Sequence, residues 1–169
     1  MKTEGSSYCQ TEGSSFIVNF QSSDNMTFPV ETLLVNKAIK IAYMNASQTY
    51  NHPLGVTLRL VDSEEGQSIN KQFKKSNKPT NVLAFTGDLE KERSLGISPP
   101  FLGDIIVCLP VVEKEAKALN IGVSSHFLHM VIHGFLHLLG YDHNTDKEET
   151  EMIQLENLVL TELGKDNSA

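Results

Sequence analysis

The stretch from His129 to His143, HMVIHGFLHLLGYDH, constrains this chain more than any other. Four of the six histidines fall within it, and His126 lies three residues upstream. Side chains four apart on a helix differ by about 40° around its axis, so His129, His133 and His137 share one stripe, with His126 inside it. The pattern predicts a helix over Ser124 to Leu139, stopped by Gly140. Tyr141 and Asp142 then turn the chain, and His143 is placed to fold back over the helix end.

Two imidazoles at i and i+4 suit one metal ion. Spacing alone does not choose between the pairs 129/133 and 133/137. The turn prefers the second, because His143 must reach the same ion. His133, His137 and His143 then form an H-x3-H-x5-H set. Three neutral nitrogen ligands leave one tetrahedral position for water, the arrangement of a catalytic zinc site. Structural zinc usually takes four ligands and is rich in cysteine. Here Cys9 and Cys108 are the only cysteines, and neither is close in sequence. One Zn²⁺ per chain is therefore expected. His126 and His129 are left as groups beside the ligands, as substrate-side groups, or as packing.

The zinc-protease helix carries a glutamate directly after its first histidine, and that glutamate is the base. Position 134 here is glycine. Peptide hydrolysis is disfavoured on that ground. A metal that activates water or polarises a phosphoryl oxygen has less need of the glutamate. The missing side chain is also expected to leave room for a larger substrate.

The 169 residues favour one domain with a real core. Residues 1–13, with TEGSS at 3–7 and again at 11–15, read as a Gly/Ser-rich disordered tail. Residues 14–169 read as a single domain. Strands are expected at SFIVNF, GVTLRLVD, TNVLAF and GDIIVCLP. Helices are expected over Phe28–Met44, Ser63–Phe73, Val111–Leu119 and Glu148–Leu163, besides the histidine helix. SLGISPPF reads as a loop. The order predicts an α+β domain, a small mixed β-sheet covered by helices. There is no run of eighteen apolar residues and no apolar leader, so no membrane partner is expected and the protein reads as cytoplasmic.

The net charge of −7 argues at first against a nucleic-acid partner. Most of it is local. Seven acids from Asp146 onward, Glu156 among them, stand against Lys147 and Lys165. NKQFKKSNKPTN, by contrast, holds Lys71, Lys74, Lys75 and Lys78 with no acid. Each charge run is equally the solvated face of an ordinary domain.

HGFLHLLGYDH resembles the signature of the YbeY family, bacterial metal-dependent endoribonucleases of rRNA maturation. KPTNVLAF, LGDIIVC and HFLHMVIHG resemble further family segments, in the same order. The resemblance runs from about Val56 to about Leu163. It implies a zincin-like fold with His133, His137 and His143 as zinc ligands. It implies cleavage of single-stranded RNA, in 16S rRNA 3′-end maturation and ribosome quality control. Implied partners are the small ribosomal subunit and the assembly GTPase Era. Where the family has a Tyr-Arg pair facing the active site, this chain has Phe73 and Lys74, and the family's aspartate in the same loop is Asn77. Lysine keeps the charge but loses the planar two-pronged grip on phosphate. Either Lys74 or Lys75 substitutes, or activity is altered.

Lys74 is accordingly a candidate catalytic residue, and Lys71, Lys75 and Lys78 are candidate RNA contacts. Asp104, after a glycine at the start of an apolar strand, is either a catalytic or ligand-supporting carboxylate or a strand-end cap. Asp142 and His129 are candidates for orienting ligand histidines, Asp142 by accepting a ring N–H. Thr80 and Asn81 either face the cleft or make a turn. Two alternatives accompany the nuclease reading: a zinc hydrolase of another substrate class, and a metal-stabilised ribosome-assembly factor without relevant catalysis.

Overall fold

Strands form where apolar residues alternate or run together. In Ser14–Ser22 the side chains of Phe16, Val18 and Phe20 are fully or almost fully buried, with half-buried neighbours between them. In Leu54–Val61 every residue is buried, as expected of a central parallel strand covered on both faces. The computed structural model describes residues 2–11, 14–23, 26–48, 50, 53–74 and 80–167. In chain order the elements are β1 (Lys2–Thr11), β2 (Ser14–Ser22), α1 (Thr32–Met44), β3 (Leu54–Val61), α2 (Ser63–Lys74) and β4 (Val82–Thr86). There follow α3 (Leu89–Ser94), β5 (Phe101–Cys108), α4 (Leu109–Leu119), α5 (Val123–Leu138) and α6 (Asp146–Asn167).

One five-stranded sheet runs in the order β1-β2-β3-β5-β4. β2, β3 and β5 are parallel, while β1 and β4 lie antiparallel at the two ends. This is the mixed sheet of the expected α+β domain. One face carries Phe16, Val18, Phe20, Val56, Leu58, Leu60, Ile105 and Val107, all buried. α1 and α5 cover that face. Phe16 joins them, edge-on to Tyr43 of α1 at 4.7 Å and to Phe135 of α5 at 5.6 Å. α6 packs across α1 and α5 as an outer layer. α2 lies on the other face, where a Cβ on Gly66 would stand 3.0 Å from Cys108 Sγ and 3.5 Å from Val61.

Three elements differ from expectation. Lys2–Thr11, expected as a tail, forms β1 along β2, from Lys2 opposite Ser22 to Thr11 opposite Ser14. Composition reports the lack of an apolar face; pairing with an edge is a main-chain matter that composition does not report. Helix α1 begins at Thr32 rather than Phe28, because Phe28 is drawn into edge contacts with Phe20 and Phe127. The six-residue α3 is too short to show a period. It is started by Asp88, whose side chain accepts from Lys91 N at 3.1 Å.

Candidate metal centre

Helix α5 has two working sides. One packs on the sheet through Phe127, Val131 and Phe135, each fully buried. Gly134 meets the sheet directly: a Cβ there would lie 2.8 Å from Ile105 Cγ2 and 3.2 Å from Val82 Cγ2. The space left by the missing side chain is thus filled by the sheet. It is not open to substrate, contrary to the expectation above. No glutamate fits at 134 in this packing, so the protease base is excluded sterically as well as by identity.

The other side carries His133 and His137. Their Nε2 atoms lie 3.1 Å apart. Two ligands on a tetrahedral zinc with Zn–N of about 2.0–2.1 Å would be about 3.3 Å apart. The helix ends in a glycine motif: Gly140, at φ +99°, donates to His137 O, and Tyr141 N donates to Leu136 O, both at 3.0 Å. This reversal brings the His143 ring to 5.6 Å from that of His133 and 5.1 Å from that of His137. The nitrogen ligand atoms of all three lie within 4.8 Å of one another. Burial, then the charges of His133 and His143, push the His137 imidazole below its ordinary value. That favours the neutral form a metal needs. Donor chemistry and spacing both fit one cation.

The carboxylate of this centre is Glu156, from α6. Its Oε2 lies 2.5 Å from His133 Nδ1 and its Oε1 2.8 Å from His129 Nε2. Burial works to raise its carboxyl. Hydrogen bonds from His129 and His133, with their charges, outweigh burial and hold it at about 2. Along the sequence Glu156 is one of seven acids from Asp146 onward, yet it is 5% exposed. A signal was present. Met152, Glu156, Val159 and Leu163 share the buried stripe of α6, and a lone acid in an apolar stripe marks a buried partner.

The remaining candidates are placed as follows. His126 is buried and meets Glu115 Oε1 at 2.9 Å, while Asn81 Nδ2 donates to the same carboxylate. Asn81 Oδ1 also accepts from Val82 N, so this side chain ties β4 to α4 and α5 and does not face a cleft. Asp142 accepts the backbone N–H of His143 and an amide N–H of Asn144, both at 2.8 Å. Through these two contacts it shapes the turn that carries His143. Asp104 lies on the face of β5 away from α5. Gly103 and Ile105 point at Leu138 and Gly134 of α5, so strand alternation turns Asp104 to the opposite face. It is mid-strand, opposite Phe85, and burial raises its carboxyl. Phe73, near the end of α2, packs on Phe85 at 5.1 Å, across β4 from the metal helix. Lys71 is exposed on α2. Lys74 ends α2, its side chain lies outside the described residues, and so do Lys75, Asn77 and Lys78.

Two histidines of one helix and a third from the turn after it, backed by a buried carboxylate and set against a mixed sheet, make a candidate metal site in a domain of the α+β class. The sequence matches the family described as Endoribonuclease YbeY over residues 17–164, and the chain belongs to that family. It is 43% identical over 109 residues to an endoribonuclease YbeY of Stenotrophomonas maltophilia, covering 64% of this chain and 68% of that one. An endoribonuclease YbeY of Colwellia psychrerythraea is 40% identical over 129 residues, covering 76% and 81%. The solution structure of TM1509 from Thermotoga maritima is similar with a TM-score of 0.58 at 27% identity, covering 89% of this chain and 92% of that one.

Proposed function

We propose that this protein is a zinc-dependent endoribonuclease specific for single-stranded RNA, acting in 16S rRNA 3′-end maturation and ribosome quality control. The proposed setting is the small ribosomal subunit in the cytoplasm, with the assembly GTPase Era as a partner. The endoribonuclease role rests on family membership. The observation that carries the metal reading is the convergence of His133, His137 and His143 nitrogens within 4.8 Å. No helix among the described residues is long and apolar enough to cross a membrane.

In this reading His133 and His137 hold the ion from one helix face, and His143 closes the set from the turn. Bound zinc supplies Lewis-acid polarisation of a phosphoryl oxygen and acidifies water. Lys71 and the lysines that follow it hold the RNA backbone electrostatically, so binding weakens as salt rises. Gly134, closed against Ile105 and Val82, removes the side chain a peptidase of this kind would use.

The test is metal content and RNA cleavage measured on one preparation, with His137→Ala and a chelator as controls. About one zinc per chain, with cleavage lost in both controls, is the expected result. Metal without cleavage above the His137→Ala background would overturn the nuclease reading in favour of an assembly factor. In cells depleted of the protein, wild type should clear 3′-extended 16S precursors and His137→Ala should not.

A further inference from the structure

Glu156 touches two histidines at once, and only one of them belongs to the metal triad. Its side chain is 6% exposed, and each oxygen meets a different ring: Oε1 that of His129 at 2.8 Å, Oε2 that of His133 at 2.5 Å. A carboxylate between two imidazoles accepts from both. His133 therefore carries its proton on Nδ1 and keeps the lone pair of Nε2. That Nε2 is the atom lying 3.1 Å from His137 Nε2.

We propose that Glu156 is the positioning residue of the metal centre: it selects the nitrogen of His133 presented to the ion and locks the ring at that angle. His129, on the second oxygen, prevents the carboxylate from rotating away. The inference rests on the metal reading of the triad and adds to it a residue outside the ligand set.

Two further observations support it. An apolar residue at 156 would complete the stripe of Met152, Val159 and Leu163, so packing alone does not call for an acid there. The same segment also carries the third ligand. Asn144 N donates to Glu148 Oε2 at 3.1 Å and Glu148 N to Thr145 Oγ1 at 3.2 Å, fastening the chain after His143 to the start of α6. α6 thus holds His143 through its first turn and His133 through Glu156, and sets their relative position from one rigid body.

The experiment compares wild type with Glu156→Gln and Glu156→Leu. Zinc affinity is read by competition with a chromophoric chelator, and the His133 tautomer by ¹⁵N NMR of metal-free protein. Leucine fills the stripe, so that variant keeps its melting temperature while losing the carboxylate. The expected result is zinc binding weaker by about 10–100-fold in both variants. His133 should be an Nδ1–H tautomer in wild type and lose that preference in Glu156→Leu. Unchanged affinity and an unchanged tautomer in a folded variant would overturn the proposal and leave Glu156 a packing residue. Failure of the metal reading looks different: wild type itself would bind no zinc, and the tautomer measurement would still judge the bridge.

Discussion

Replacing Gly134 by alanine tests how the sheet sets the metal helix. The added Cβ would sit 2.8 Å from Ile105 Cγ2 and 3.2 Å from Val82 Cγ2. Carbon atoms rest at about 3.5–4.0 Å, so α5 or strand β5 must give by about 0.7 Å. Both partners are β-branched and held in the sheet, so neither swings aside cheaply. Overpacking of this kind costs about 1–3 kcal/mol. Alanine repays about 1 kcal/mol through helix propensity. Two β-branched partners put this case in the upper half of that range, so the balance is a loss of about 1–2 kcal/mol, or about 2–8 °C in Tm for a chain of this size. The assay is a thermal melt of metal-free protein with zinc affinity measured alongside. Both should fall, because lifting α5 from the sheet carries His133 and His137 away from His143. A melting temperature equal to wild type or higher would refute the reasoning, since only the propensity gain would then remain. Gly134→Glu writes the zinc-protease signature into the helix. It should destabilise more than alanine and produce no peptidase.

Two further outcomes test the core and the RNA path. Phe135→Ala removes a fully buried ring that meets Phe16 at 5.6 Å; it should cost about 3–5 kcal/mol in urea unfolding and weaken zinc binding with it. Lys71→Ala should lower the slope of log binding constant against log salt for single-stranded RNA by about 0.7, the share of one phosphate contact. An unchanged slope would remove Lys71 from the RNA path.

Much of the metal site could be read locally. The i, i+4 spacing of His133 and His137, the stop at Gly140 and the turn to His143 all lie within eleven residues, and the structure brings the three rings together. The carboxylate was missed because it comes from a position 23 residues beyond His133. Along the sequence it sits among acids on an acidic helix. Only the period of α6, with Met152, Val159 and Leu163 beside it, separates it from its solvated neighbours. The face that Asp104 takes was equally out of reach of local pattern. A carboxylate after Gly103 suggested chemistry, but the alternation of β5 turns it from α5, and no local pattern says which side of a strand will meet which helix.

Period and punctuation along the chain account for the central strands, the metal helix and its end, and a histidine set whose spacing suits one ion. These depend on interactions between residues a few positions apart. Tertiary structure alone decided what fills the space at Gly134, which face Asp104 takes, how Lys2–Thr11 pairs, and that Glu156 reaches His133 and His129. Each of these is a contact between elements distant in the chain. Their meeting is set by how the apolar faces of α5, α6 and the sheet close on one another, a condition that no window along the sequence contains.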